Sequence, residues 1–471
     1  MIYKVTAAPD CLRDNEIIDL PASKSLSNRA LILQALCPEP CQLTHLSDCD
    51  DTRVMLQAFE TVSTQDATNA QEPLVIDIGA AGTSMRFLTA YFATRRGAEV
   101  IMTGTERMKQ RPIKILVDAL RTLGAQIEYL EGEGCPPLRI HGRQLDGGPL
   151  SIDGSTSSQY ISALLMVAPT LAKGLQLTLT GDVTSRPYIL MTLGMMREFG
   201  VESTWEDNVI SIAPQTYRAQ TYEVESDWSA ASYWYEILAL ATDAQLKAIR
   251  LKGLHQESFQ GDCHIADYFA PLGIVTSFTP EGVTISRSQA DGQLPERLVW
   301  DMTEQPDLAQ TVISTYACLG IRFDICGLHT LRIKETDRIA ALENELAKLG
   351  FVVTDRDNDR MLSDNQQVAG HNPEVVPVIS TYKDHRMAMA FAPAALAIMS
   401  QPTLLVDDPA VVSKSYPQYW EHLRQLGFSV EEYDIEQAAL AEREARTRKH
   451  WGYLAIVIGL MILLLLLKFL S

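Results

Sequence analysis

The chain has 471 residues, 46% of them apolar and 21% charged. This globular composition excludes a fibrous or disordered protein and corresponds to roughly two to four domains of ordinary size. Its 40 Lys and Arg stand against 59 Asp and Glu, a net charge of −19, which excludes a general nucleic-acid binder and makes any cluster of cations conspicuous.

From Met1 to Asp10 there is neither a basic segment nor an apolar run, so no secretory signal is expected and the eight cysteines read as reduced thiols. Cys37, Cys41, His45 and Cys49 recur every fourth residue, the spacing of a helical zinc site. Pro38 and Pro40 break any such helix, and residues 41–47 alternate like a strand, so no metal is expected here. No metal, nucleotide or other cofactor is implied elsewhere: there is no P-loop, and His141, His255, His264 and His371 have no paired-ligand spacing.

A repeat underlies the rest. A helix-like stretch ending in Leu or Phe, then Gly, then a strand-like run, recurs at Gly124, Gly200, Gly273, Gly350 and Gly427, about 75 residues apart. Glycine just past a helix end accepts the left-handed conformation, so a strand can follow at once. A degenerate copy without the glycine falls at 51–62. Each unit also carries an earlier, small-residue-rich helix, predicted at 25–36, 82–93, 157–168, 229–240, 306–317 and 384–397. Six units of strands plus two helices make an α/β protein, dividing three and three into two domains.

The starts of these earlier helices collect Lys24, Ser25 and Arg29; Gly82, Thr83 and Arg86; Ser157, Ser158 and Gln159; Asp227 and Ser229; Asp307; and Lys383, His385 and Arg386. A helix N-terminus offers unpaired amides and a positive dipole end, so several aimed into one cleft hold strongly anionic ligands.

Past a charged stretch at 433–450, read as a linker helix, residues 451–467 are an uncharged, mostly aliphatic run. As a helix it would be about 26 Å long, against roughly 30 Å of bilayer hydrocarbon. Arg443, Arg446, Arg448 and Lys449 precede it and Lys468 follows, so 451–471 is expected to be a membrane tail with the large domains on the cytoplasmic side.

Six blocks carry chemistry: Pro21-Ala22-Ser23-Lys24-Ser25-Leu26-Ser27-Asn28-Arg29, Gly79-Ala80-Ala81-Gly82-Thr83-Ser84-Met85-Arg86, Gly104-Thr105-Glu106-Arg107-Met108-Lys109-Gln110-Arg111-Pro112, Asp153-Gly154-Ser155-Thr156-Ser157-Ser158-Gln159, Arg332-Ile333-Lys334-Glu335-Thr336-Asp337-Arg338 and Asp384-His385-Arg386-Met387-Ala388-Met389. In order and spacing the chain closely resembles the 5-enolpyruvylshikimate-3-phosphate (EPSP) synthase family over residues 3–430. The resemblance implies transfer of a carboxyvinyl group from phosphoenolpyruvate to the 5-hydroxyl of shikimate 3-phosphate, with release of phosphate. It also implies a two-domain, inside-out, barrel-like α/β fold of three βαβαββ units per domain, one domain at 1–20 and 226–432, the other at 21–225. The catalytic unit is expected to be a monomer.

By the same resemblance Asp307 is the base toward the hydroxyl, and Glu335 with Lys24 moves protons at the methylene carbon. Shikimate 3-phosphate is assigned to Lys24, Ser25, Arg29, Ser157, Ser158, Ser185, Asp307 and Lys334. Phosphoenolpyruvate is assigned to Lys24, Gly82, Arg111, Gln159, Arg338, Arg386 and Lys414. Gly82 leaves room for a phosphonate such as glyphosate. Two positions depart from the family pattern: Ala80, often Asn, and Thr330, where a side-chain amide often stands. The enolpyruvyl transferase acting on UDP-N-acetylglucosamine is the nearest alternative, but its mobile-loop Cys has no counterpart at Gln110-Arg111-Pro112. A membrane-tethered binding protein of the same fold, without turnover, is the other.

Overall fold

Inner and outer helices alternate along the chain, because each unit sends one helix into the interior and keeps the other at the surface. The computed structural model describes residues 1–8, 11–65, 72–288, 293–398 and 402–434. In chain order the pairs are α1 (Lys24–Leu36) and α2 (Asp50–Gln65), α3 (Gly82–Thr94) and α4 (Lys114–Thr122), α5 (Ser158–Val167) and α6 (Arg186–Glu198), α7 (Trp228–Leu240) and α8 (Ile265–Phe269), α9 (Ala309–Cys318) and α10 (Arg338–Lys348), and α11 (His385–Phe391) and α12 (Tyr419–Leu426). The inner helices are apolar nearly all round and buried nearly all round; every residue of α3 from Gly82 to Ala93 is buried. That is what a helix surrounded by other elements requires. The outer helices are amphipathic: α4 buries Leu116, Val117, Ala119 and Leu120 and turns its polar face out.

Sheets close around the inner helices. In four sheets a parallel pair continues into an antiparallel hairpin, as in Leu74–Asp77, Glu99–Thr103, Leu138–His141 and Gln126–Tyr129; in a fifth the N-terminal strand Ile2–Thr6 lies antiparallel between Thr403–Asp407 and Ser429–Glu432 in the hairpin's place. The parallel step is crossed by the inner helix and the hairpin follows the outer one, the βαβαββ pattern. One unit departs from the six equal copies expected. Among the described residues its sheet has two strands, Gln42–Thr44 parallel to Thr221–Glu223. The glycines after the outer helices take positive φ, 80° at Gly200 and 95° at Gly350, as a helix stop followed directly by a strand demands.

Apolar burial falls into two clusters. One gathers residues from Ala22 to Val224; the other joins Val5 to Leu20 with Trp228 to Val430. The chain passes between them twice, side by side: Ser23 N–H donates to Glu225 O at 2.9 Å and Asp227 N–H to Pro21 O at 2.9 Å. No helix among the described residues is long and apolar enough to cross a membrane. The stretch 451–467 and the linker from 435 onward lie outside the described residues.

Candidate active site

Where the two clusters meet, residues from both line a cavity of about 350 Å³. From the first come Lys24, Ser25 and Arg29 of α1, Gly82 of α3, Arg111, Ser157 with Ser158 and Gln159 at the start of α5, and Ser185. From the second come Asp307, Lys334, Glu335, Arg338 and Arg386. Lys414 does not line the cavity, but its Nζ lies 3.1 Å from Glu335 Oε1. The α7 start differs from the other five. Asp227 caps its own helix through Ala230 N–H at 3.1 Å and Ser229 is held by Arg386 and Asp262, so neither reaches the cavity.

Local chemistry explains the first wall. Ser23 accepts from Leu26 N–H and Ser157 from Gln159 N–H, both at 3.4 Å, which starts α1 and α5 at the cleft. Ala81 caps α3 without a side-chain acceptor, leaving first-turn amides for a ligand. A Cβ on Gly82 would stand 2.5 Å from Arg111 Nη1 and 2.7 Å from Arg86 Nη1, so only glycine lets both guanidinium groups stay where they are. Arg29 is 2% exposed, and its donors reach Thr192 Oγ1, Ser25 O, Ser162 Oγ and Tyr188 O, leaving one Nη1 hydrogen for a ligand.

The second wall is a charge lattice. Asp307 Oδ1 lies 3.0 Å from Arg338 Nη1 and 3.4 Å from Lys334 Nζ, and its Oδ2 3.2 Å from Arg386 Nη2. Arg338, 1% exposed, also donates to Glu335 Oε2 at 3.0 Å and to Asp384 Oδ2 at 2.7 Å. Burial pushes the Asp307 carboxyl up, but Arg386, Lys334 and Arg338 overbalance it and hold the group well below the usual range. Glu335 follows the same pattern, with burial opposed by Lys414, Arg338 and Arg111. At Lys24 burial works against the charge, yet Asp51, 4.0 Å away, leaves its pKa raised. His385 is driven well below 6.5 by burial and then by Lys24 and Arg386.

Some cavity residues had no role assigned from the sequence: Asp51 and Tyr188, and Asp153, Ser155 and Thr156, which stand in a quoted block. Thr330, noted as a departure, lines the cavity with its Oγ1 buried and unpartnered among the described residues. The same holds for Arg86 Nε and both His385 ring nitrogens, which belong to residues that also line the cavity.

Amides, hydroxyls and cations converging between two halves define an α/β enzyme that takes small anionic ligands. Residues 13–423 match the family model of EPSP synthase (3-phosphoshikimate 1-carboxyvinyltransferase), and the chain belongs to that family. A 3-phosphoshikimate 1-carboxyvinyltransferase of Bacteroides fragilis (strain YCH46) is 52% identical over 415 residues, 88% of this chain and 95% of that protein. Another, from Pectobacterium carotovorum subsp. carotovorum (strain PC1), is 37% identical over 433 residues, 88% of this chain and 96% of its own. An EPSP synthase structure from Acinetobacter baumannii shares the fold, with a TM-score of 0.70 over 92% of this chain and 100% of that one at 20% identity.

Proposed function

We propose that the cavity is where this chain carries out its family's reaction, moving the carboxyvinyl group of phosphoenolpyruvate onto the 5-hydroxyl of shikimate 3-phosphate. The observation that carries this reading is the meeting of Lys24, Arg111, Asp307, Glu335 and Arg386 around one cavity, although they come from five widely separated stretches of the chain. The two halves, 1–20 with 226–432 and 21–225, act as domains that close on the ligands.

The chemistry follows from the charges. The hydroxyl oxygen must add to C2 of the enol phosphate while C3 gains a proton; the tetrahedral adduct then loses phosphate and gives the C3 proton back. Asp307, held ionised, accepts the hydroxyl proton. Ser25, Ser157, Ser158, Ser185 and Lys334 suit the phosphate and hydroxyls of shikimate 3-phosphate, and the remaining Arg29 donor suits its carboxylate. Phosphoenolpyruvate sits against Gly82, with Arg111, Gln159, Arg338, Arg386 and Lys414 holding its anionic groups.

Arrival of that ligand changes the acids. Lys414, Arg338 and Arg111 are the cations that keep Glu335 ionised in the free cleft. Sharing them with the ligand raises the proton affinity of Glu335, which can then deliver a proton to C3 with Lys24 beside it. Holding both reactants in this geometry supplies about 7 to 11 kcal/mol of barrier lowering, and closure strengthens each charge contact by removing water.

Purified enzyme should release phosphate only when both substrates are present, and Lys24→Met should abolish that release. Phosphate release without shikimate 3-phosphate, or full activity in Lys24→Met, would overturn the reading. For the tail, the uncharged run at 451–467 flanked by basic residues supports a membrane anchor with the catalytic halves in the cytoplasm. Cell fractionation should find the full chain with membranes and a chain lacking 436–471 in the soluble fraction; a soluble full-length chain would refute the anchor.

A further inference from the structure

Behind Asp307 lies a second carboxylate that the reaction as derived does not use. Asp262, in the single 3-10 turn Gly261–His264, is 4% exposed and does not line the cavity. Tyr188 of α6 joins the two. Its hydroxyl oxygen is 3.4 Å from Asp262 Oδ1, 3.5 Å from Asp262 Oδ2 and 3.4 Å from Asp307 Oδ2. A second polar path closes the circuit: Ser229 Oγ donates to Asp262 Oδ2, while Arg386 Nη2 donates to Ser229 Oγ at 3.4 Å and to Asp307 Oδ2 at 3.2 Å. Two carboxylates therefore share one phenol with one proton. Tyr188 packs with the first cluster, whereas Asp262 and Asp307 stand on the second wall, so the bridge exists only where the halves meet.

Burying a carboxylate costs free energy, so Asp262 takes up a proton more readily than an exposed acid does. The groups facing Asp262 are Arg386 of opposite charge, Asp307 and Asp227 of like charge, and the phenols of Tyr188 and Tyr268. Burial, opposed by Arg386 and reinforced by Asp307 and Asp227, pushes the Asp262 carboxyl up to about 6. Asp307 is held far below that. Two neighbouring carboxyls whose proton affinities are driven apart form a donor and acceptor pair.

We propose that Asp262 is a positioning residue that relieves Asp307 of the substrate hydroxyl's proton through the hydroxyl of Tyr188. As the oxygen to C2 bond forms, the proton goes to Asp307. Asp307 passes a proton to the phenol oxygen while the phenol's own proton goes to Asp262, leaving an Asp307 carboxylate, a neutral tyrosine and an Asp262 carboxylic acid. The proton returns along the same path when the carbon to phosphate-oxygen bond breaks, because the departing phosphate takes up one proton. The inference rests on Asp307 being the base.

The experiment compares kcat and both KM values of the wild type, Asp262→Asn, Asp262→Glu, Tyr188→Phe and the Asp262→Asn/Tyr188→Phe double variant from about pH 5 to about pH 8. Each of Asp262→Asn and Tyr188→Phe should lower kcat on the order of tenfold, with KM values within about twofold. The double variant should be no slower than either single one. Wild-type kcat should fall as pH drops through about 6, Asp262→Asn should lack that limb, and Asp262→Glu should recover part of the rate. An unchanged kcat, a change confined to KM, or multiplying losses in the double variant would overturn the proposal. If Asp262→Asn does not fold, Tyr188→Phe, which keeps the ring, decides alone on its kcat. Asp307→Asn in the same assay separates the levels: an inactive Asp307→Asn beside an unaffected Asp262→Asn removes only this proposal, whereas a fully active one removes the reading beneath it.

Discussion

The two walls of the cleft balance their charges differently. On the first wall the cations meet mostly neutral oxygen: Arg29 rests on hydroxyls and carbonyls, Arg86 on the Gly82 carbonyl at 2.7 Å, and Lys24 has a single acid at 4.0 Å. On the second wall every cation is answered by a carboxylate, with Arg338 alone touching Asp307, Glu335 and Asp384. The first wall is thus set for anions before any arrive. The second must exchange its own ion pairs for ligand contacts, and that exchange changes the proton affinity of its acids. Apart from Lys24, which moves protons with Glu335, substitutions on the first wall should act chiefly on KM and those at the acids of the second chiefly on kcat.

The largest expected effect breaks the comparison most cleanly. Asp307→Asn should lower kcat by about 10²- to 10⁴-fold, with both KM values within a small factor; steady-state kinetics showing a raised KM at constant kcat would make the second wall another binding surface. Next comes a stability effect. The folded-state pKa of Asp262, about 6, lies above the ordinary aspartate value of 3.8. Stability from holding that proton is therefore present below about 3.8 and lost as pH rises through about 6. Urea melts should show the wild type losing on the order of 3 kcal/mol relative to Asp262→Asn over that rise, and parallel curves would contradict the charge strain assigned to the second wall.

On the first wall, Gly82→Ala should raise KM for phosphoenolpyruvate about tenfold, near 1.4 kcal/mol, as the methyl meets Arg111. KM for shikimate 3-phosphate should stay within about twofold. An equal rise in both would mean that the methyl deforms the whole wall rather than one subsite. Smallest is Ser158→Ala, which removes a hydroxyl that caps no helix and should raise KM for shikimate 3-phosphate about fivefold, near 1 kcal/mol.

What could be read in advance was local chemistry. Gly200 and Gly350 mark helix ends because their positive φ is a requirement of the chain itself, and Ser157 marks a helix start because its cap bond closes within two residues. The inner helices stand out because burial on every side leaves no polar face. Asp262 and Tyr188 carried no such mark: the contact between them depends on two halves of the fold coming together, and an isolated Asp or Tyr has no spacing that announces it. Asp51 was hidden for the same reason, since its approach to Lys24 is tertiary. The two-stranded sheet could be seen only as a missing glycine, because pairing of Gln42–Thr44 with Thr221–Glu223 spans most of the first half. The roles given to Lys414 and Thr330 came from family resemblance rather than from any local pattern.

A crystal structure with shikimate 3-phosphate and an unreactive phosphonate analogue of phosphoenolpyruvate tests the convergence of the two walls most directly. Both ligands should lie in the one cavity, the phosphate of shikimate 3-phosphate against Ser157 and Ser158, the phosphonate between Arg111 and Arg386, and the 5-hydroxyl within hydrogen-bond reach of Asp307. Ligands bound apart, or an Asp307 turned away from the hydroxyl in a closed complex, would contradict it.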